Sequence, residues 1–180
     1  MRDKLLEQAK REYSPKQRLV ALSVEAIFFL ILFPYVLIKL GAALDQWLHW
    51  SPIKITAINH ILGGLLIVAG WLSGVLSVYT QFTIGRGTPV PLMATQKLIV
   101  QPPYTYCRNP MALGAIVMYL GVAILFGSMG AAMLVLLSAG GLLTYIKRIE
   151  EKEMKIRFGQ EYFEYKQRTP FLIPRFWNRG

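Results

Sequence analysis

The sequence has few of the residues from which common catalytic and metal centres are built. Its 180 residues include one cysteine, Cys107, and two histidines, His49 and His60. A single cysteine excludes an intramolecular disulfide and a cysteine-based metal cluster. Both histidines fall toward the outer half of the membrane topology predicted below, so a zinc site or a histidine-based triad on the opposite face lacks its ligands. We therefore expect no metal site.

Charged residues are also scarce, and those present are grouped. They make up 17% of the chain, hydrophobic residues make up 54%, and the mean hydropathy is +0.39. Residues 19–38 contain Glu25 as their single charged residue, and no charge lies between Lys54 and Arg86. Each run holds the roughly 20 apolar residues that a membrane-spanning helix needs. We predict spans at 19–38 and within about 56–80.

A third uncharged run, from Arg108 to Lys147, is too long for one span. At about 1.5 Å per residue a single helix would extend about 57 Å, whereas the apolar core of a bilayer is about 30 Å thick. Gly127 and Gly130 supply a break, which leaves two short helices at 111–126 and 131–146. The predicted fold is an all-α polytopic membrane protein with about four transmembrane helices, a C-terminal helical hairpin and a cytoplasmic interfacial helix.

The distribution of basic residues predicts the orientation. Of the 20 Lys and Arg residues, all but Lys39 and Lys54 lie in the N-terminal segment, the middle loop or the C-terminal tail. By the positive-inside rule, these three segments face the cytoplasm. Anionic lipid headgroups account for the net charge of +10 without a nucleic-acid partner. We predict one membrane domain, 1–180, which comprises an interfacial helix (1–18), two spans (19–80), a cytoplasmic loop (81–110), the hairpin (111–146) and a cytoplasmic C-terminal segment (147–180).

Two polar clusters flank the predicted hairpin. Residues 104–110 precede its first helix, and Glu150 and Glu151 follow its second. Each cluster also has a purely structural interpretation, because Asn109 is a good N-cap and the glutamates suit a solvated helix with Glu to Lys pairs. A helical hairpin, however, brings its two ends together. We therefore expect a cationic tip that carries tyrosines to face a pair of carboxylates at the cytoplasmic surface.

A series of short motifs runs through residues 85–174. It comprises Lys97-Leu98-Ile99-Val100, Pro103-Tyr104, Arg108-Asn109-Pro110-Met111 with Gly114, Glu150-Glu151, Phe158-Gly159, Glu161-Tyr162 and Tyr165. This ordered set resembles the isoprenylcysteine carboxyl methyltransferase and phospholipid methyltransferase family of membrane enzymes. The sequence departs from the commonest family pattern at three positions, where Asn109 replaces a histidine, Ala112 a tyrosine and Pro102 a glycine.

The resemblance implies S-adenosylmethionine as the cofactor and methyl transfer to a lipid-like or small apolar acceptor that enters from the bilayer on the cytoplasmic side. Residues 87–91 are similar to those of bacterial members, which implies a multi-pass protein of a bacterial-type inner membrane. Acidic side chains would pair the cofactor ammonium and basic side chains its carboxylate. The cofactor-binding residues would be Lys97, Tyr104, Tyr106, Arg108, Asn109, Glu150 and Glu151, with Arg108 and Glu151 also catalytic.

Two other functions fit the same sequence. A nicotinamide-dependent membrane reductase would share a similar C-terminal helical arrangement but would have more spans. A non-catalytic membrane module would explain the departures at Asn109 and Ala112. Binding of S-adenosylmethionine but not NADPH separates a methyltransferase from a reductase. Loss of function on substitution of Arg108, Glu150 or Glu151 would argue against the non-catalytic module.

Overall fold

The computed structural model describes residues 13–51, 56–88 and 95–175, and the regular secondary structure in these ranges is all helical, with no strand. Three π-helical turns modify the helices, at Phe28–Leu32, at Gln81–Gly85 and at Ile146–Glu150. The all-α class predicted from the sequence is confirmed. The helices are α1 (Pro15–Trp47), α2 (Ala57–Gly85), α3 (Pro110–Leu125), α4 (Met129–Tyr145) and α5 (Glu151–Arg168).

Three helical segments are long and apolar enough to cross a membrane, judged by length and composition within the described residues. They are α1 with 33 residues, α2 with 29 and the continuous segment Met129–Arg168 with 40, which includes α4 and α5. Helix α3 is apolar but has 16 residues, which at about 1.5 Å per residue reach about 24 Å. The chain is therefore a polytopic membrane protein with a short first helix in its hairpin. The interfacial helix predicted at 1–18 lies largely outside the described residues, and Pro15 already belongs to α1.

A tight turn separates α3 from α4 at the predicted break. Gly127 has a φ of 62°, a left-handed conformation that costs other residues about 1–2 kcal/mol. The Asp45 carboxylate of α1 accepts hydrogen bonds from Ser128 Oγ and from the backbone N–H of Gly130, each at 2.6 Å. A carboxylate in this position satisfies helix N-terminal donors and interacts favourably with the helix dipole. Asp45 thus fixes the turn and the start of α4.

The described chain divides into two compact units. The hairpin unit comprises Ala26–Gly74 and Ala112–Leu143. The loop unit comprises Met1–Glu25, Val75–Met111 and Thr144–Gly180, as far as these ranges are described. Every site residue predicted from the sequence belongs to the loop unit.

The hairpin unit is held together by small residues and a small apolar core. A Cβ added to Gly70 of α2 would lie 2.4 Å from the carbonyl oxygen of Gly114 in α3, so only glycine permits this approach. The Tyr119 hydroxyl donates a 2.7 Å hydrogen bond to the carbonyl of Phe29 in the π turn of α1. The buried core residues are Leu37, Tyr119, Ala123, Ala131 and Val135.

In the loop unit, α2 continues to Gly85, five residues beyond the predicted end of the second span at 80. Residues 81–84 contain neither proline nor glycine, so nothing in the sequence stops the helix there. The Arg18 guanidinium of α1 donates a 2.8 Å hydrogen bond to the Phe82 carbonyl and lies 4.9 Å from the centre of the Phe82 ring. Arg86 then adopts a left-handed conformation with a φ of 54° and ends the helix.

Candidate active site

Tyr104 anchors the loop that precedes α3. Its side chain is 8% exposed, and its hydroxyl lies near the Ser77 and Gln81 side chains of α2. Its carbonyl accepts a 2.7 Å hydrogen bond from the Tyr165 hydroxyl of α5. Burial raises the pKa of Tyr104 well above its ordinary value, so the hydroxyl stays protonated. Tyr104 therefore joins α2, the loop and α5, and it is a neutral hydrogen-bonding group.

Arg108 and Asn109 connect the start of α3 to the segment that follows α5. The Arg108 backbone N–H donates to the carbonyl of Pro170 at 2.9 Å, and the Asn109 side-chain amide donates to the carbonyl of Phe171 at 2.8 Å. The Arg108 guanidinium lies 5.7 Å from the centre of the Phe171 ring. Asn109 thus serves a structural role with its amide donor. Arg108 is held in place from its backbone and from its side chain.

The charged centre of the site consists of Arg108, Glu151 and Lys166. Arg108 Nη2 lies 2.9 Å from Glu151 Oε1, and Lys166 Nζ contacts Glu151 Oε2. The side chains of Arg108 and Glu151 are 10% and 7% exposed, and that of Lys166 is 31% exposed. The structure therefore brings together the two residues predicted to be catalytic. One carboxylate lies between two cations, which leaves this cluster with a net charge of +1.

A kink at Gly159 brings Lys166 to Glu151. In a straight helix, 15 residues span about 22 Å, which is too far for the two side chains to meet. Gly159 has a φ of 53° and a ψ of −124°, which lies outside the helical region. Glycine adopts such a conformation more readily than any other residue. The two halves of α5 therefore run in different directions, and the second half returns Tyr165 and Lys166 to the loop.

The π turn at Ile146–Glu150 separates the apolar helix α4 from the charged helix α5. A π turn holds one residue more than an α-helical turn, and one residue corresponds to about 100° of rotation. Compared with an uninterrupted α-helix, this insertion changes the helix face on which the glutamates lie. Glu151 becomes buried in the ion-pair cluster, whereas Glu150 is half-buried. The two adjacent glutamates therefore occupy different environments.

Glu150 has an altered proton affinity. Burial, followed by repulsion from Glu153, raises the pKa of Glu150 above its ordinary value. The charge of Glu150 also acts on the hydroxyls of Tyr104 and Tyr162. Tyr162 is 4% exposed, and burial together with the Glu151 charge raises its pKa to about 12. Of these groups, Glu150 is the one whose pKa is shifted toward neutral pH.

Three further residues of the loop before α3 are either exposed or carry no reactive group. Lys97 is exposed on the loop, and Tyr106 is 38% exposed, with its carbonyl bound to the backbone N–H of Arg175. Cys107 is 1% exposed, and burial raises the pKa of its thiol. A protonated, buried thiol is a packing group. The predicted roles of Lys97 and Tyr106 in cofactor binding stay predictions.

Sequence reasoning missed Lys166 and Tyr165 as parts of the site. Tyr162 and Tyr165 both belong to the motif series that runs through residues 85–174, and Lys166 is four residues after Tyr162. Residues four apart share a helix face, so this spacing could have placed Lys166 beside Tyr162. Its distance from Glu151 along the chain concealed the ion pair, because only the kink at Gly159 makes that contact possible.

Comparison with known families gives one match of direct bearing on this geometry. The family model described as phospholipid methyltransferase matches residues 58–161, more than half of the chain, and the match includes Arg108, Glu150 and Glu151. No curated protein matches the chain. The matched range extends from the beginning of α2 to the second half of α5. The chain therefore belongs to the phospholipid methyltransferase family, whose members transfer methyl groups to lipid-like acceptors in membranes.

Proposed function

We propose that this protein is an S-adenosylmethionine-dependent methyltransferase that acts on a lipid-like or small apolar acceptor at the cytoplasmic membrane face. The observation that carries the proposal is the ion pair of Arg108 and Glu151, which lies within the family match and is almost fully buried. A buried ion pair is costly to desolvate and adds little stability compared with apolar packing. A requirement for opposite charges at a ligand-binding site explains its presence.

The side chains of the loop unit fit the chemistry of the cofactor. The amino-acid part of S-adenosylmethionine carries an ammonium and a carboxylate, and its sulfur carries a positive charge. Glu151 would hold the ammonium, and the guanidinium of Arg108 would hold the carboxylate through charge-assisted hydrogen bonds. Asn109 and Tyr104 maintain this arrangement through their hydrogen bonds to Phe171 and Tyr165. Lys97 and Tyr106 stay in the proposal as more exposed contacts.

When bound, the cofactor supplies a methyl group whose bond to the positively charged sulfur breaks with both electrons left on sulfur. The acceptor provides the electron pair of the new bond, so the reaction requires no covalent protein nucleophile. The residues of the site contribute by aligning donor and acceptor and by excluding water. An amine acceptor also loses a proton. Glu150, with its raised pKa, is the proposed proton acceptor.

The proposed location follows from the same residues. The charged helix α5 and the loop with Arg108 carry most of the basic residues of the second half of the chain. The positive-inside rule favours a cytoplasmic site and cytoplasmic termini, in a membrane of the bacterial inner type. Apolar acceptors would reach the site from the bilayer, and the polar cofactor would reach it from the cytoplasm.

The test is ligand binding by the purified protein in lipid nanodiscs. Isothermal titration calorimetry should detect S-adenosylhomocysteine, the demethylated product, and no binding of NADPH. Glu151→Gln and Arg108→Ala should each weaken the binding by at least about tenfold, because each removes one charge of the site. The matched control is Lys155→Met, which removes an exposed charge of the same helix α5. Binding of NADPH in place of S-adenosylhomocysteine would overturn the proposal in favour of a reductase, and binding of neither ligand would favour a non-catalytic module.

A further inference from the structure

The ion pair of Glu151 with Lys166 assigns a role to a residue outside the family match. Lys166 lies five residues beyond the end of the matched range at 161. Its ammonium contacts Glu151 Oε2, while Arg108 occupies Oε1 of the same carboxylate. Both carboxylate oxygens that would bind a ligand ammonium therefore already have a cationic partner. A cationic ligand of Glu151 therefore competes with one of them for this carboxylate.

Lys166 is the partner that can be replaced more easily. The guanidinium of Arg108 also donates to the backbone carbonyl of Lys166 at 3.4 Å and lies against the Phe171 ring, and its side chain is 10% exposed. The side chain of Lys166 is 31% exposed and is a flexible chain of four methylenes. An ammonium has three N–H donors, and its contact with Glu151 needs one of them. Lys166 can therefore move or accept an additional anionic partner at low cost.

The backbone that carries Lys166 is better fixed than its side chain. The neighbouring Tyr165 donates its hydroxyl hydrogen bond to the Tyr104 carbonyl, and the backbone N–H of Thr169 bonds to the Tyr165 carbonyl. The kink at Gly159 directs this half of α5 toward the loop. The backbone of Lys166 thus stays close to Glu151 even when the ion pair between the two side chains opens.

We propose that Lys166 joins Arg108 in binding the carboxylate of the cofactor's amino-acid part, and that it gives up its contact with Glu151 to do so. This inference rests on the proposed function. In the cluster, the negative Glu151 lies between the positive Arg108 and Lys166. The amino-acid group of the cofactor adds one ammonium and one carboxylate. The ligand ammonium takes the place of Lys166 on Glu151, and the ligand carboxylate becomes the new partner of Lys166. The number of ion pairs rises without any charge left unpaired in a poorly solvated site.

If this exchange occurs, Lys166 recognises the carboxylate oxygens of the ligand and no other ligand atoms. Removal of the ammonium of Lys166 should weaken ligands that carry the carboxylate and should spare ligands that lack it. A residue that merely stabilised the fold would affect both kinds of ligand equally. The suitable pair is S-adenosylhomocysteine and its decarboxylated analogue, which keeps the adenosine, the sulfur and the amine.

The experiment measures the dissociation constants of both ligands by calorimetry, with the full chain in nanodiscs. For Lys166→Met we expect S-adenosylhomocysteine to bind about tenfold or more weakly, whereas the analogue should bind within about twofold of the parent. Lys166→Arg should retain most of the affinity for S-adenosylhomocysteine because it keeps the charge. Lys155→Met, on the exposed face of α5, should bind both ligands as the parent does.

Equal weakening of both ligands by Lys166→Met, or no weakening of either, would overturn the role of Lys166 while leaving the proposed function standing. Failure of the parent protein to bind S-adenosylhomocysteine would overturn the proposed function together with the inference. Melting curves of each variant in nanodiscs identify any variant that does not fold. The Lys166→Arg variant, which preserves the ion pair, then decides the question.

Discussion

Replacement of Gly159 by alanine tests whether the kink in α5 assembles the site. Gly159 has a φ of 53° and a ψ of −124°, and a Cβ at this position would meet no heavy atom within 4 Å. The substitution therefore introduces backbone strain without a steric clash. Strain of this kind costs about 1–3 kcal/mol. That free energy lowers the equilibrium constant of the kinked conformation by about 5- to 150-fold.

Two measurements follow the kink in Gly159→Ala. The first is the acetylation of Lys166, measured by mass spectrometry without any ligand, which should increase as the ion pair with Glu151 is lost. The second is the affinity for S-adenosylhomocysteine, which should fall by up to about 150-fold. Gly140→Ala is the matched control, because a Cβ at Gly140 also meets open space, and Gly140 lies in the regular helix α4. Parent-like acetylation and affinity in Gly159→Ala would refute the reasoning.

Three further predictions concern proton transfer and stability. With an amine acceptor, Glu150→Gln should lower the methyl-transfer rate by about 100-fold or more. The parent rate should fall as the pH drops through the raised pKa of Glu150, so a parent pH–rate profile without this fall would contradict the role of Glu150. Tyr165→Phe removes the hydrogen bond to the Tyr104 carbonyl and should lower the free energy of unfolding by about 1 kcal/mol. The melting temperature in nanodiscs should therefore fall, and an unchanged melting temperature would argue against a stabilising role of this hydrogen bond. Asp45→Asn weakens the cap on α4 by about 1 kcal/mol and should lower the melting temperature while the affinity for S-adenosylhomocysteine stays constant; a change in affinity would show that Asp45 has a role beyond the hairpin unit.

The membrane helices could be predicted from the sequence because a bilayer imposes a simple requirement. Uncharged runs of sufficient length identify spans, and the glycine-rich break at Gly127 divides the run that is too long for one span. The ends of the helices were less predictable. Helix α2 continues to Gly85 through a π turn, which depends on contacts such as that of Arg18 with the Phe82 carbonyl. Such contacts are tertiary and leave no periodic signal in the sequence.

The candidate site was predictable in part. Arg108 and Glu151 could be paired from the sequence, since the ends of a helical hairpin meet and both residues belong to motifs shared with the family. Lys166 could not be placed, because its contact with Glu151 depends on one glycine conformation. The distinction between Glu150 and Glu151 was also hidden, since it arises from the π turn that rotates the start of α5. Predictions from sequence periodicity assume regular helices. The site depends on two irregular positions, the π turn at Ile146–Glu150 and the kink at Gly159.

The most direct test of the account is methyl transfer in isolated membranes that contain the protein. The membranes are incubated with S-adenosylmethionine labelled in its methyl group, and the lipid, protein and volatile fractions are then counted separately. The account predicts label in the lipid fraction or in a small apolar product, loss of this label with Glu151→Gln, and its retention with Lys155→Met. Absence of label above that of membranes without the protein, in every fraction, would contradict it.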